Sequence, residues 1–223
     1  MSAVSETMVR EYFELHGFFV RQQRKYVSPP RREDDEVDFA VLNPQPQPRA
    51  SSRGTLPFEL GSADLAGVSR ALVVVKAWHT DTFRPGLLAN APEIFRFLEP
   101  ANLRQAIRSF GSDDPVTKIL VVPALPQGAD AREQSIALLQ AKGLDCVIPF
   151  GTILADLIQH TEVNRNYSKS DLLQVLRILK NYEFLRGPQL ELFKPRRAAA
   201  RKAKQSEPGQ AKDETQARNT ENE

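Results

Sequence analysis

A single cysteine, Cys146, stands among 223 residues, which excludes an intramolecular disulfide framework and any cysteine-only zinc site. It sits between Asp145 and the apolar pair Val147-Ile148, the setting of a reduced core thiol. Long apolar runs are missing as well. The longest stretches, residues 72–75 and 119–123, fall far short of the ~20 residues that a bilayer span requires and read as buried strands. Near the N-terminus Glu6, Arg10, Glu11 and Glu14 interrupt every apolar run, so no secretory leader is expected and the chain is read as cytoplasmic. Histidine is scarce, and His16 and His160 stand at expected helix ends with no second ligand at metal-binding spacing, so no metal is assigned to them. The formal charge of +2 is too small to demand a nucleic-acid partner, and the distribution of charge carries more information than its sum.

What the chain does have is an ordinary globular composition, 41% hydrophobic and 26% charged, which suits one main domain. Met8, Tyr12 and Leu15, with Val9 and Phe13 beside them, make an amphipathic helix of residues 4–16 that Gly17 stops. Residues 18–26 and 36–42 read as strands, separated by the Pro29-Pro30 turn. A connector with Pro44, Pro46, Pro48 and Gly54 leads to a third strand, 71–77, whose almost unbroken apolar run implies helices on both faces. Beyond it, Asn90-Ala-Pro-Glu93 has a capping-box pattern, and Pro100 and Gly111 delimit two short helices. Strands follow at 118–122 and 146–150, with helices opening at Asp130 and Thr152 and near Ser168. In the last helix Leu172, Val175, Leu176 and Leu179 are expected to pack on the sheet while Arg177 and Lys180 form an exposed basic face. From Lys194 the composition turns basic and then polar without apolar anchors, so the expected division is a domain of 1–193 and a disordered tail of 194–223.

Three polar positions stand out against this frame. Glu6 lies in the first helix, eleven residues before Gly17; Asp35-Glu36-Val37-Asp38 begins the second strand; and Leu72-Val-Val-Val-Lys76 is the third. The order of one helix, three strands, a helix and a strand, with these residues in it, resembles the PD-(D/E)XK nucleases. The likeness is nearest to the archaeal Holliday-junction resolvases and their small bacterial relatives. Asp35-Glu-Val-Asp38 looks like their Gly-Glu-Ile-Asp motif, and residues 72–76 look like their Phe-Val-Glu-Val-Lys strand. The resemblance implies a restriction-endonuclease-like αβββαβ core, α/β in class, whose mixed sheet is flanked by helices and extended by C-terminal α/β elements. It also implies Glu6, Asp38 and Lys76 as catalytic residues, Asp38 as the central ligand of Mg²⁺, and Glu36 as a second carboxylate able to swing in.

One position departs from the pattern, because Val74 stands where the family has glutamate. Mg²⁺ prefers near-octahedral oxygen ligands and usually relies on one or two carboxylates, so Asp38 alone would hold it weakly. The expected function is therefore a degenerate nuclease-like protein that binds DNA or a protein partner without efficient cleavage. Two alternatives stay open: an active Mg²⁺-dependent endonuclease, a phosphodiesterase, with Glu36 or Glu93 as relocated acid, and an interaction protein that uses its proline-rich connector. Arg21, Arg24, Lys25, Arg31 and Arg32 gather around the first hairpin, where they could face DNA phosphates or form a solvated surface. Trp78 and His79 after the third strand offer a stacking surface or simply a core edge. A homodimer is possible on the same resemblance, and no membrane partner is expected.

Overall fold

The computed structural model of the chain describes residues 3–22, 37–47, 56–108, 110–111 and 114–185. Residues 1–188 form one compact unit, and the expected tail from 194 onward lies outside the described residues. No helix among those residues is long and apolar enough to cross a membrane.

Five strands, β1 (Phe19–Gln22), β2 (Phe39–Leu42), β3 (Arg70–Val75), β4 (Thr117–Val122) and β5 (Cys146–Pro149), lie side by side in sequence order. β1 pairs antiparallel with β2 and β2 with β3, whereas β3, β4 and β5 run parallel. The sheet is therefore mixed, and helices cover both faces. Helix α1 (Ala3–Leu15) and helices α5 (Phe150–His160) and α6 (Asp171–Asn181) bury one face, where Val9, Tyr12, Phe13, Ile153 and Leu176 meet Phe39, Val41, Val73 and Val75. Helices α2 (Pro85–Asn90), α3 (Pro100–Arg108) and α4 (Ala129–Ala141) contribute Leu88, Ala106 and Leu139 to the other, against Ala40, Leu72, Val74 and Leu120. Period-two alternation along β3 thus feeds two separate cores, and every residue from Ala71 to Val75 is buried, as a parallel strand covered on both sides demands.

The expected stop of α1 at Gly17 takes this form: Gly17 has φ +79, and the Phe18 N–H donates to the Phe13 carbonyl at 3.0 Å, closing the last turn on a residue without a Cβ. The connector after β2 crosses to the far edge of the sheet. There the Leu60 N–H donates to Val147 O at 2.9 Å and the Val147 N–H to Phe58 O at 2.7 Å, so the edge of β5 is occupied before the chain returns through a 3₁₀ turn at Ser62–Gly67 to β3.

Two expectations change. The helix expected to start at Asn90 ends there: Pro85 opens α2 with a preset φ, and the Asn90 amide donates back to Gly86 O at 2.8 Å. Two 3₁₀ turns, Pro92–Ile94 and Arg96–Leu98, then lead to α3. The second change is the orientation of α6. Its cations do not form an exposed face: Arg177 Nε donates to Val163 O at 2.8 Å, and Lys180 Nζ donates to Ile158 O at 2.8 Å and Thr161 O at 2.6 Å. The carbonyls left over at the end of α5 draw these side chains inward, and Val175 and Ile178 face out instead.

Candidate functional site

The C-terminal ends of the parallel strands β3, β4 and β5 form one edge of the sheet, the place where open α/β sheets present binding crevices. The start of α1, the end of β1 and the residues just before β2 reach the same edge. Asp38 stands one step beyond the paired register, which ends at Phe39 to Val73. Its backbone N–H donates to Val73 O at 3.1 Å, and its Oδ2 accepts the Val75 N–H at 2.7 Å. That short bond continues the ladder through a side chain and accounts for part of what keeps a half-buried carboxylate in this position.

Lys76 follows β3 directly. Its N–H donates to Val121 O at 3.0 Å, and among the described residues its ammonium has no hydrogen-bond or ion-pair partner. No salt bridge joins it to Asp38. Val74, two residues before Lys76 on β3, is 0% exposed and packed with Leu72, Leu120 and Val122. Glu6 sits half-buried on α1, above the face that carries Val73 and Val75, and accepts a 3.0 Å bond from Gln22 Nε2. It therefore belongs to the opposite face from Val74, tied to β1 by a neutral donor. Arg21 is exposed on β1, and Glu93 lies half-buried in a 3₁₀ turn. Glu36, Arg24, Lys25, Arg31 and Arg32 lie outside the described residues.

Long-range contacts add residues at this edge that sequence spacing did not single out. Ser5, 2% exposed, places its Oγ 3.0 Å from His79 Nε2, and the His79 ring meets Phe150 edge-on at 4.5 Å. The contact spans 74 positions in the chain, so no local pattern announces it. Trp78, by contrast, leans on Phe83 at 5.7 Å and closes the second core.

A second polar cluster lies at the other end of α1. His16 Nε2 is 2.9 Å from Asp156 Oδ2, and His160 Nδ1 is 3.5 Å from Asp156 Oδ1. Asp156 is 8% exposed, in a helix otherwise read as apolar. Both histidines, with Ser62 and Gln159, line a cleft of ≈ 410 Å³. The Tyr12 hydroxyl meets Ser62 Oγ at 3.1 Å beside it, and burial pushes its pKa up to about 12. Two histidines read as solitary are thus joined through one carboxylate. The signal available in the sequence was an aspartate at a core-facing helical position, four residues before a histidine.

Among the described residues no group of three or more His, Cys, Asp and Glu side chains could hold a metal ion. Cys146 is buried, and desolvation, with the neighbouring Asp145 carboxylate second, pushes its thiol up to about 12. No family model, curated protein or solved structure matches the chain.

Proposed function

We propose that the chain is a nuclease-like binding domain on a restriction-endonuclease-like scaffold, engaging DNA phosphates at the C-terminal edge of its sheet without efficient hydrolysis. The order α1, β1, β2, β3, helices, β4 supports the scaffold. The observation that carries the loss of cleavage is the fully buried Val74, two residues before Lys76, where the resemblance calls for glutamate. Hydrolysis of this kind relies on a metal ion to polarise the phosphate and generate the nucleophile. The described residues offer no group of ligands for it, and Val74 supplies methyl groups where the resemblance calls for an oxygen ligand. Lys76 retains a use without metal. Its ammonium, without a partner among the described residues, is a point-charge phosphate contact at a strand end, and Arg21, exposed on β1, adds a second cation.

The test uses the full chain, a labelled duplex and a labelled four-way junction, with anisotropy at low salt and cleavage assays in Mg²⁺ and Mn²⁺. Binding that weakens with salt, loses several-fold affinity in Lys76→Ala and occurs without product formation is the expected result. Metal-dependent cleavage abolished by Asp38→Ala would make the protein an active endonuclease. Absence of binding to any nucleic acid would leave the interaction-protein reading.

A further inference from the structure

The histidine and aspartate cluster at the far end of α1 lies about 20 Å along that helix from the edge that carries Lys76, and nothing proposed at that edge uses it. Its hydrogen bonds fix which ring atoms hold protons. A carbonyl oxygen only accepts, so His160 Nδ1, 3.0 Å from Asp156 O, carries the hydrogen, and the lone pair of the neutral ring sits on Nε2. Asp156 Oδ1 is 3.5 Å from the same Nδ1, while Oδ2 is held at 2.9 Å by His16 Nε2. One histidine thus pins the carboxylate that faces the other. Among the described residues His160 Nε2 has no partner, and the side chain, 47% exposed, lines the cleft. The 3₁₀ turn at Ser62–Gly67 supplies a donor to the same cleft. Tyr12 is 0% exposed, and burial raises its pKa to about 12, so its hydroxyl keeps a proton that needs an acceptor. Its partner among the described residues is Ser62 Oγ at 3.1 Å. Tyr12 therefore donates to Ser62, which leaves the Ser62 hydrogen for the cleft.

We propose that this cleft is a hydrolytic site for small neutral carboxylic esters, with His160 as general base and Ser62 as donor to the carbonyl oxygen. Water gives a proton to His160 Nε2 as its oxygen bonds to the ester carbon. The carbonyl electron pair moves onto its oxygen, which accepts the Ser62 hydroxyl hydrogen bond. When that pair returns, the bond to the alkoxy oxygen breaks, and the imidazolium gives its proton to the departing alkoxide, releasing an alcohol and a carboxylic acid. Asp156 touches no reacting atom. It is a positioning residue that holds the ring tautomer and faces the charge His160 acquires. The substrate class follows from the lining. A volume of ≈ 410 Å³ lies in the lower part of the ~300–1,000 Å³ range of small-molecule sites. Among the described residues no lysine or arginine lines the cleft, whereas the Asp156 carboxylate does, so phosphodiesters and other anions are disfavoured. Ala63 and Ala66 offer a short apolar wall to the acyl chain.

Hydrolysis of 4-nitrophenyl acetate by the full chain tests this, with the anionic 4-nitrophenyl hemisuccinate as the charged comparison. Saturation with the acetate and poorer turnover of the hemisuccinate are expected. His160→Gln, at an exposed position where the circular dichroism should stay unchanged, is expected to lower kcat about 10²-fold. Ser62→Ala, on a different element, is expected to lower it by a similar factor. Asp156→Asn keeps the shape and removes the charge, so kcat should fall while KM holds. A chain without hydrolysis above the solvent rate overturns the proposal. So does a rate that rises linearly with ester concentration, as any exposed imidazole would give, or activity indifferent to His160→Gln or Ser62→Ala. A burst of one nitrophenol per chain would make a side chain the nucleophile and overturn the general-base step.

Discussion

Restoring an acid at position 74 is the sharpest perturbation of the site. Val74 is wholly enclosed, so Val74→Glu first forfeits the burial of a valine, about 1.5–3 kcal/mol. The new carboxyl is then enclosed among Leu72, Leu120 and Val122, where burial favours its neutral form. An unsatisfied polar group in such a place adds about 1–3 kcal/mol. The expected cost is roughly 3–6 kcal/mol, against a typical total stability of about 5–15 kcal/mol. Mn²⁺ should return part of it. In the proposed nuclease-like arrangement Asp38 and the introduced carboxylate share one ion. At ten times the dissociation constant that linkage is worth about 1.4 kcal/mol. Urea unfolding with and without Mn²⁺ reads both quantities, and Val74→Gln, similar in shape but uncharged, should show the cost without the metal-dependent recovery. If Val74→Glu unfolds with wild-type stability in chelator, the position is not the dry core site described here. If Mn²⁺ stabilises the glutamate and glutamine variants equally, Asp38 and residue 74 do not face a common point.

Other groups give independent checks. Tyr12, raised from its ordinary 10.0 to about 12 by burial, prefers its neutral form in the folded protein. Its contribution of about 3 kcal/mol is therefore complete below pH 10 and lost as pH rises through 12. Tyr12→Phe should flatten that alkaline loss in urea titrations while costing about 1 kcal/mol at pH 7 for the Ser62 hydrogen bond; an unchanged alkaline limb would refute the assignment. Cys146, raised from 9.0 to about 12 and 1% exposed, should react with a thiol reagent at neutral pH only when the domain opens. Labelling of the native protein at the rate of a free thiol would contradict this. Asp156→Ala removes the carboxylate that joins His16 and His160, and an expected loss of about 1–3 kcal/mol in urea unfolding measures the tie between α1 and α5. A neutral effect would mean that the two histidines hold their places without it.

What could be read from the sequence was set by the range of the interaction that fixes it. The apolar run ending at Val75 declares a doubly covered strand, because burial on both faces leaves no polar alternation to hide it. Gly17 declares a helix stop, because only glycine takes φ +79 without cost. By contrast, the start of α2 depended on Pro85, and Asn90 carried a capping pattern that the helix used from the inside.

The orientation of α6 exposes the limit of amphipathic reading. Arg177 and Lys180 lie beside Val175 and Ile178, and the usual assignment sends cations to water and aliphatics to the core. That assignment weighs only the transfer of side chains between water and oil. It omits the carbonyls at the end of α5, which need donors and lie within reach only after the loop of residues 161–170 has folded α6 back on α5. A long cationic side chain can satisfy them with its head while its stem packs below, so the same residues that look like a solvated face become internal struts. The same non-local logic joins Ser5 to His79 and His16 to Asp156. Local periodicity therefore fixes which elements exist, whereas unpaired polar groups on neighbouring elements decide which face each one turns outward. In this protein that decision leaves Lys76 without a partner among the described residues at the edge of the sheet and leaves Val175 and Ile178, rather than a basic stripe, on the surface.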